Sequence, residues 1–353
     1  MARSSKKKRS RSRGRRNLRS KPRVRSRSRS RSKALRVGTD CSGIEAPIQA
    51  LKQLRIPFKH VWSSEIDKYC IESIKANYKP GRLYGDKDGA YPDGDMCNRN
   101  HNELPDVDLY VCGFPCQSFS QAGVRGSSRR GLSDPRGNII YSCLDTIKAK
   151  RPRYFILENV KGILSIDKKD KKEKYGEAWK IIWSELEKLK KLGYSIDWKV
   201  MNTRDYGIPQ NRDRVYIVGT MDDEYSWPVE CKMNSINKYV DLKDGDKKLS
   251  PSNKIRIRNA KKNIPKGAVF VDLAFISLRP STQAHKYSPC IAAAGSMCCV
   301  PQNRLANVKE HLMLQGFPTT FKQVVSDRQM KKQVGNSMSV NVLKKLISNF
   351  RKT

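Results

Sequence analysis

From residue 35 onward the chain alternates two kinds of apolar pattern, and this limits the folds open to it more than any other feature. Residues 35–39 read as a short strand, 46–54 as a helix, 60–63 as a second strand and 66–77 as a second helix. Parallel neighbours in a sheet need a covering connection, so a βαβα order calls for an α/β fold, a parallel sheet overlaid by helices. Further strands are expected at 107–112, 154–157, 195–201 and 215–219, with apolar residues at helical spacing over 178–192 and 337–350. Between about 221 and 300 the periodicity fades and Lys, Asn, Ser and Pro become frequent, the texture of a smaller, irregular module.

Charge narrows the partners. Lys and Arg number 72 against 34 Asp and Glu, a net charge of +38. Residues 1–33 hold 17 of the basic side chains and no acidic one, so residues 34–353 keep 55 basic against 34 acidic and are basic in their own right. Such an excess points to a polyanion, nucleic acid before membrane. The first 33 residues, with the run Arg25-Ser26-Arg27-Ser28-Arg29-Ser30-Arg31-Ser32, have too few apolar groups to offset ordering entropy and are expected to be disordered. Lys6-Lys7-Lys8-Arg9 is a candidate nuclear-import patch; the alternative is a solvated tail that binds any polyanion, and the Arg-Ser repeat also suits a kinase. The ten Cys show no CxxC pair, so no metal is expected, and the Arg-rich start lacks the apolar stretch of a secretory signal. No apolar run reaches the roughly 18–20 residues that a membrane helix needs. A reduced, soluble, intracellular protein with no membrane partner is the expectation.

The residues with chemistry sit at strand ends. Gly113-Phe114-Pro115-Cys116 follows the 107–112 strand, so a Gly and a Pro stop the strand and Cys116 emerges at the carboxyl edge, where open α/β sheets hold ligands. The 154–157 strand runs into Glu158-Asn159-Val160, which delivers a carboxyl group to the same edge. The plainer alternatives are a small core hydrophobe for Cys116 and a surface helix cap for Glu158.

These segments resemble a known family in order as well as content. DCSGIEAP at 40–47, Glu65 after a strand, Gly94-Asp95, GFPCQSFS at 113–120 and DPRG at 134–137 come first. ENV at 158–160, QNRDR at 210–214, LQGFP at 314–318 and QVGNS at 333–337 follow. In this series the chain resembles the DNA (cytosine-5)-methyltransferases that use S-adenosylmethionine. The resemblance covers the chain from about residue 36 to its C-terminus, apart from the irregular module.

The resemblance implies a Rossmann-like methyltransferase sheet with helices on both faces, plus a smaller target-recognition domain. The implied layout is a tail at 1–33, a catalytic and cofactor-binding domain at 34–220, the recognition domain at 221–300, and a segment at 301–353 that returns to the catalytic domain. Cys116 is then the nucleophile, a thiolate helped by nearby positive charge, and Glu158 meets ring nitrogen 3 of the base as a carboxyl kept protonated by burial. Arg212 and Arg214 suit the cytosine oxygen and a nearby phosphate, although a solvated edge is the alternative for one of them. The implied S-adenosylmethionine site comprises the turn Cys41-Ser42-Gly43-Ile44, Glu65 for the ribose, Asp95 for adenine, Gly113, Pro115, Asn336 and Ser337. Its first motif departs from the family, with Cys41 for an aromatic residue and Glu45-Ala46 for two Gly. The implied partner is double-stranded DNA, its cytosine flipped out of the stack by a monomeric enzyme and its sequence read in the major groove by the 221–300 module. Two rivals stay open: an RNA cytosine-5 methyltransferase of the same fold, and a catalytically silent nucleic-acid-binding protein.

Overall fold

The chain is seen in a computed structural model that describes Met1 and residues 34–116, 118–119, 131–133, 135–170, 172–222, 224–243, 251–273 and 283–350. The tail beyond Met1, Gln117, Ser120, Asp134 and part of the irregular module lie outside the described residues. In chain order the elements of the first half are β1 (Leu35–Asp40), α1 (Ala46–Leu54), β2 (Phe58–Ser64), α2 (Lys68–Asn77), β3 (Arg82–Tyr84), β4 (Leu109–Cys112), α3 (Ile139–Lys150) and β5 (Tyr154–Val160). There follow α4 (Glu177–Glu187), β6 (Ser195–Asn202), β7 (Asp213–Thr220), α5 (Pro251–Ala260), β8 (Phe270–Asp272), β9 (Met297–Cys299), β10 (Arg304–Leu305), α6 (Val308–Gln315), α7 (Asp327–Asn336) and α8 (Val340–Asn349).

Seven strands form one sheet in the order β3-β2-β1-β4-β5-β7-β6. All neighbours are parallel except those of β7, which runs antiparallel to both β5 and β6. The segment from β6 to β7 carries only a short 3-10 turn, too little for a crossover, so the chain must double back. β8, β9 and β10 make a separate antiparallel sheet of three short strands inside and just after the region whose pattern fades.

The central strands are buried on both faces, and their alternation sorts the core into two layers. Leu109 and Val111 of β4, Ile156 of β5 and Val218 of β7 pack with Ile48 and Leu51 of α1 and Leu343 and Leu346 of α8. The intervening residues Tyr110, Phe155, Leu157, Val215 and Ile217 pack on the opposite face with Leu144 and Ile147 of α3 and Trp179 and Ile182 of α4. The sheet therefore carries helices on both sides, as the alternating pattern requires.

Local chemistry sets the element ends. α2 starts at Lys68 rather than 66 because the Asp67 side chain caps it, accepting from Tyr69 N at 3.0 Å. α4 stops at Glu187 and the chain tightens into a 3-10 turn that Gly193, at φ 90°, terminates. The helix expected over 337–350 starts only at Val340. Ser337 and Ser339 are extended, and they separate α7 from α8.

Gly38 of β1 shows how close the layers lie. A Cβ there would stand 2.3 Å from Trp62 Cε2, in a fully buried indole whose N–H donates to Pro105 O at 3.2 Å. Gly38→Ala is expected to cost about 1–3 kcal/mol, the range for overpacking a core. Thermal unfolding checks this; an unchanged Tm would show that Trp62 moves aside freely.

Candidate active site

Five strand ends converge on one cleft. β1 ends at Asp40 and turns through Cys41, Ser42 and Gly43; β2 ends at Ser64 and presents Glu65. β4 ends at Cys112 and leads into Gly113-Phe114-Pro115-Cys116, while β5 brings Glu158 and the approach to β7 brings Arg212 and Arg214. Residues 41–43, Glu65, residues 113–116, Glu158, Arg212 and Arg214 line a cleft enclosing about 900 Å³ of non-protein space, solvent at its mouth included. Gly335, Asn336, Ser337 and Met338, from the junction of α7 and α8, close the remaining wall.

The Cys116 loop is held from both sides. Asn159 Nδ2 donates to Phe114 O at 3.0 Å, tying the loop to β5, and Phe119 N donates to Cys116 O at 2.9 Å. The Phe114 and Phe119 rings meet edge to face with centroids 6.4 Å apart, and both are buried. Opposite the loop, the β5–β7 register pairs Glu158 with Tyr216 and Val160 with Arg214, so Glu158 and Arg214 are diagonal neighbours on one face. Arg214 Nε lies 3.2 Å from Glu158 Oε1, close enough for an ion pair but not aligned as a hydrogen bond, which leaves that buried oxygen without a hydrogen-bond donor.

The two arginines differ in what they have left to offer. Arg212 is buried, and its Nη atoms donate to Ile291 O at 3.0 Å, Gly335 O at 3.2 Å, Ser337 O at 2.7 Å and Cys290 Sγ at 3.5 Å. Its terminal donors are thus spent on the protein itself, and only the buried Nε has no partner. Arg212 lines the cleft while its Nη donors tie the cleft walls together. Arg214 keeps its ion pair with Glu158, donates to Asp213 O at 2.7 Å, and reaches Cys290 Sγ at 3.9 Å.

Burial governs the protonation of the site. It raises the Glu158 carboxyl above its ordinary value, with Arg214 and Arg212 pulling back. It also raises the Cys116 thiol; Arg214 and Arg212 again oppose it, while Glu158 adds to it. The positive charge expected beside Cys116 is present, yet desolvation outweighs it. At Cys290 the balance reverses. Burial pushes that thiol up, but its contacts with both guanidiniums bring it below the usual value.

The other end of the cleft can be tested against a methyl-donor nucleoside. Gly43 N donates to Glu65 Oε2 at 2.7 Å, and Gly43 has φ 55°, a backbone suited to glycine at a wall that a ligand approaches. Ile66 N and Asp67 N donate to Glu65 Oε1 at 2.9 and 3.0 Å, which orients a carboxylate able to accept from hydroxyls. Gln333 lines the same cleft with a buried Nε2 that has no partner, a donor left for a ligand. A flexible-backbone turn, an acceptor and a free donor fit S-adenosylmethionine.

Of the residues singled out from the sequence, all but two line this cleft. Ile44 is wholly buried and belongs to the apolar layer with α1. Asp95 accepts from Cys97 N at 2.9 Å and Asn98 Nδ2 at 3.0 Å, the behaviour of a turn former, and it is not among the lining residues. Cys290, Gln333 and Met338 were not foreseen. Cys290 lies in the region without periodicity, where no pattern could single it out, whereas Gln333 opens the QVGNS segment and was within reach.

Residues 39–352 match the profile of the C-5 cytosine-specific DNA methylases. Over 294 residues the chain is 33% identical to the type II methyltransferase M.NgoBI of Neisseria gonorrhoeae, covering 80% of this chain and 83% of that one. The figures for M.HaeII of Haemophilus aegyptius are 33% over 294 residues, 81% and 84%. Among solved structures, the Dnmt2 methyltransferase of S. pombe aligns with a TM-score of 0.62 at 19% identity over 89% of this chain and 97% of its own, a likeness of fold.

The raised Glu158 carboxyl has a consequence for stability. Folding favours its protonated form, so its contribution is fully present below the unfolded carboxyl value, about 4.3, and declines as pH rises through the higher folded value. Glu158→Gln removes that penalty. Its Tm relative to the parent is therefore expected to rise as pH is taken up from about 4.3 through the higher folded value. A Tm difference that stays constant with pH would contradict the raised value.

Proposed function

The chain belongs to the C-5 cytosine-specific DNA methylase family, and we propose that it transfers a methyl group from S-adenosylmethionine to carbon 5 of a cytosine flipped out of double-stranded DNA, with Cys116 as nucleophile. The observation that carries this reading is that Cys116, Glu158 and Arg214 share one cleft with the turn at 41–43 and Glu65. Family membership supports the reaction class; the cleft supports the roles.

Carbon 5 of cytosine is too weak a nucleophile unaided. The Cys116 thiolate adds to carbon 6, forming a C–S bond, and the 5,6 double-bond electrons make carbon 5 enamine-like. Glu158, whose burial favours the protonated form, donates to ring nitrogen 3, where the negative charge collects. The methyl donor, held by Ser42, Gly43 and Glu65, supplies a sulfonium-activated methyl group. Attack by carbon 5 breaks the sulfonium S–CH3 bond and leaves a neutral thioether. Water then takes the carbon 5 proton, the C–S electrons return to Cys116 as its thiolate, and ring nitrogen 3 hands its proton back to Glu158. Arg214 stabilises charge on either side of this exchange, while Arg212 keeps the cleft walls in place.

DNA binding draws on the basic surplus. Arg256 and Arg258 stand exposed on α5, in the region assigned to target recognition, where they suit phosphates or base edges. A target cytosine is stacked inside the duplex, so its carbon 6 reaches a thiol in a cleft only when flipped out.

Cys116→Ser is expected to lower methylation of duplex DNA by at least about a thousandfold while DNA binding stays near the parent's. DNA carrying 5-fluorocytosine, whose fluorine cannot leave, should trap a covalent adduct on a denaturing gel with the parent and not with Cys116→Ser. Methylation by Cys116→Ser near the parent rate would remove Cys116 from the chemistry.

Deleting residues 1–33 takes away 17 positive charges and is expected to weaken DNA binding. Its salt dependence should flatten by about 0.9 in log–log slope for each phosphate that is no longer neutralised. Bisulfite sequencing should find the same cytosines methylated; a changed target would make the tail a reader of sequence.

A further inference from the structure

The departure at Glu45 from the family's glycine pair has a structural counterpart. Glu45 takes φ 60° and ψ 50°, the left-handed region that favours glycine, at the N-cap of α1, yet its side chain makes no capping hydrogen bond. The side chain turns inward and is wholly buried. Its Oε1 accepts from Thr39 Oγ1 at 2.7 Å and from Ser63 Oγ at 2.5 Å, with His60 Nε2 3.4 Å away. Its Oε2 and the Nδ1 of His60 are buried without partners. A residue ill suited to its backbone and a carboxyl group ill suited to burial persist together only where their surroundings over-determine them. Such places cluster at ligand clamps.

The ligand wall is two hydrogen bonds away. Thr39 and Ser42 hydroxyls lie 2.8 Å apart, and Ser42 lines the cleft beside Gly43. Ser42 Oγ also accepts from Ser64 N at 3.1 Å and lies 3.1 Å from Ser64 O, which joins the turn after β1 to the end of β2. From there Glu65 receives Gly43 N. Glu45 thus holds the ends of both strands from beneath, Thr39 on β1 and Ser63 on β2, while Ser42 and Glu65 face the cleft.

We propose that Glu45 is a positioning residue for the methyl donor. Its buried carboxyl group, acting through Thr39 and Ser63, sets the turn at 41–43 and Glu65 in the arrangement that binds S-adenosylmethionine. This rests on the reading of the cleft as the S-adenosylmethionine site.

Calorimetric titration of S-adenosylmethionine into the full chain tests it without turnover. Glu45→Gly keeps the left-handed backbone comfortable and removes only the tether; its Kd is expected to rise at least about tenfold, a factor equivalent to about 1.4 kcal/mol. Glu45→Gln keeps an oxygen acceptor for both hydroxyls and should stay within about threefold of the parent. Thr39→Val cuts the link to Ser42 at nearly constant volume, and its Kd should rise severalfold even if Glu45→Gly fails to fold. In steady state the loss should fall on KM for S-adenosylmethionine, with KM for DNA unchanged. A parent Kd in Glu45→Gly or in Thr39→Val, with Tm lowered or not, overturns the proposal and leaves Glu45 a fold-holding group. A parent protein that does not bind S-adenosylmethionine at all would overturn the underlying reading of the cleft instead.

Discussion

One buried guanidinium, that of Arg212, ties three stretches of chain together around the cleft. Its Nη atoms reach the carbonyls of Ile291, Gly335 and Ser337, and its own backbone N–H donates to Asn202 Oδ1 at 3.1 Å. A charged donor to a carbonyl is stronger than a neutral one, and an arginine fork serves several acceptors at fixed angles. The wall from the α7–α8 junction and the segment around Ile291 therefore close on β7 in one geometry. Gln315 Nε2 also donates to Ser337 O, and the Thr203 and Ser339 hydroxyls meet at 2.6 Å, so the same junction is fixed from two further elements.

That closure determines the electrostatics. Taking Cys116 and Glu158 out of water raises both, and each would ionise at the expense of the other. The proposed reaction would need an asymmetric outcome, a thiolate on one and a proton on the other. A neutral Glu158 would relieve Cys116 of a neighbouring negative charge, so a proton held there for the proposed base would also ease ionisation of the thiol. Arg214 lies beside this pair as a permanent positive charge, and Cys290, held by both arginines, adds an acceptor on its far side. Removing any one of the four changes what the others experience, so their effects are not expected to add.

Much of the fold could be read from pattern. β1, α1, β5, β6 and β7 lie where alternation and helical spacing put them; for β1, β5 and β7 the reason is that strands inside the sheet bury both faces and leave short apolar runs. The three-stranded β8–β10 sheet could not be read, since strands of two or three residues carry no periodicity. The break between α7 and α8 was hidden for another reason. Apolar residues continue at helical spacing across Ser337–Ser339, but hydrogen bonds made there to distant partners override local preference.

The sequence alone determined which chemical groups are available and at which strand ends they emerge, because the order of strands and the residues that stop them are local properties. Cys116 and Glu158 could be named on that basis, and the resemblance added Glu65 and Arg214. Tertiary structure decided what each group has left to give. Arg212 and Arg214 are separated by a single residue and alike in sequence, yet one spends its donors on carbonyls and the other faces Glu158. Glu45 reads as a lapse in a glycine motif until Thr39, Ser63 and His60 surround it. Burial and hydrogen-bond partners come from residues far away in the chain, and a charged group's pKa and free valence depend on those partners rather than on its neighbours in sequence.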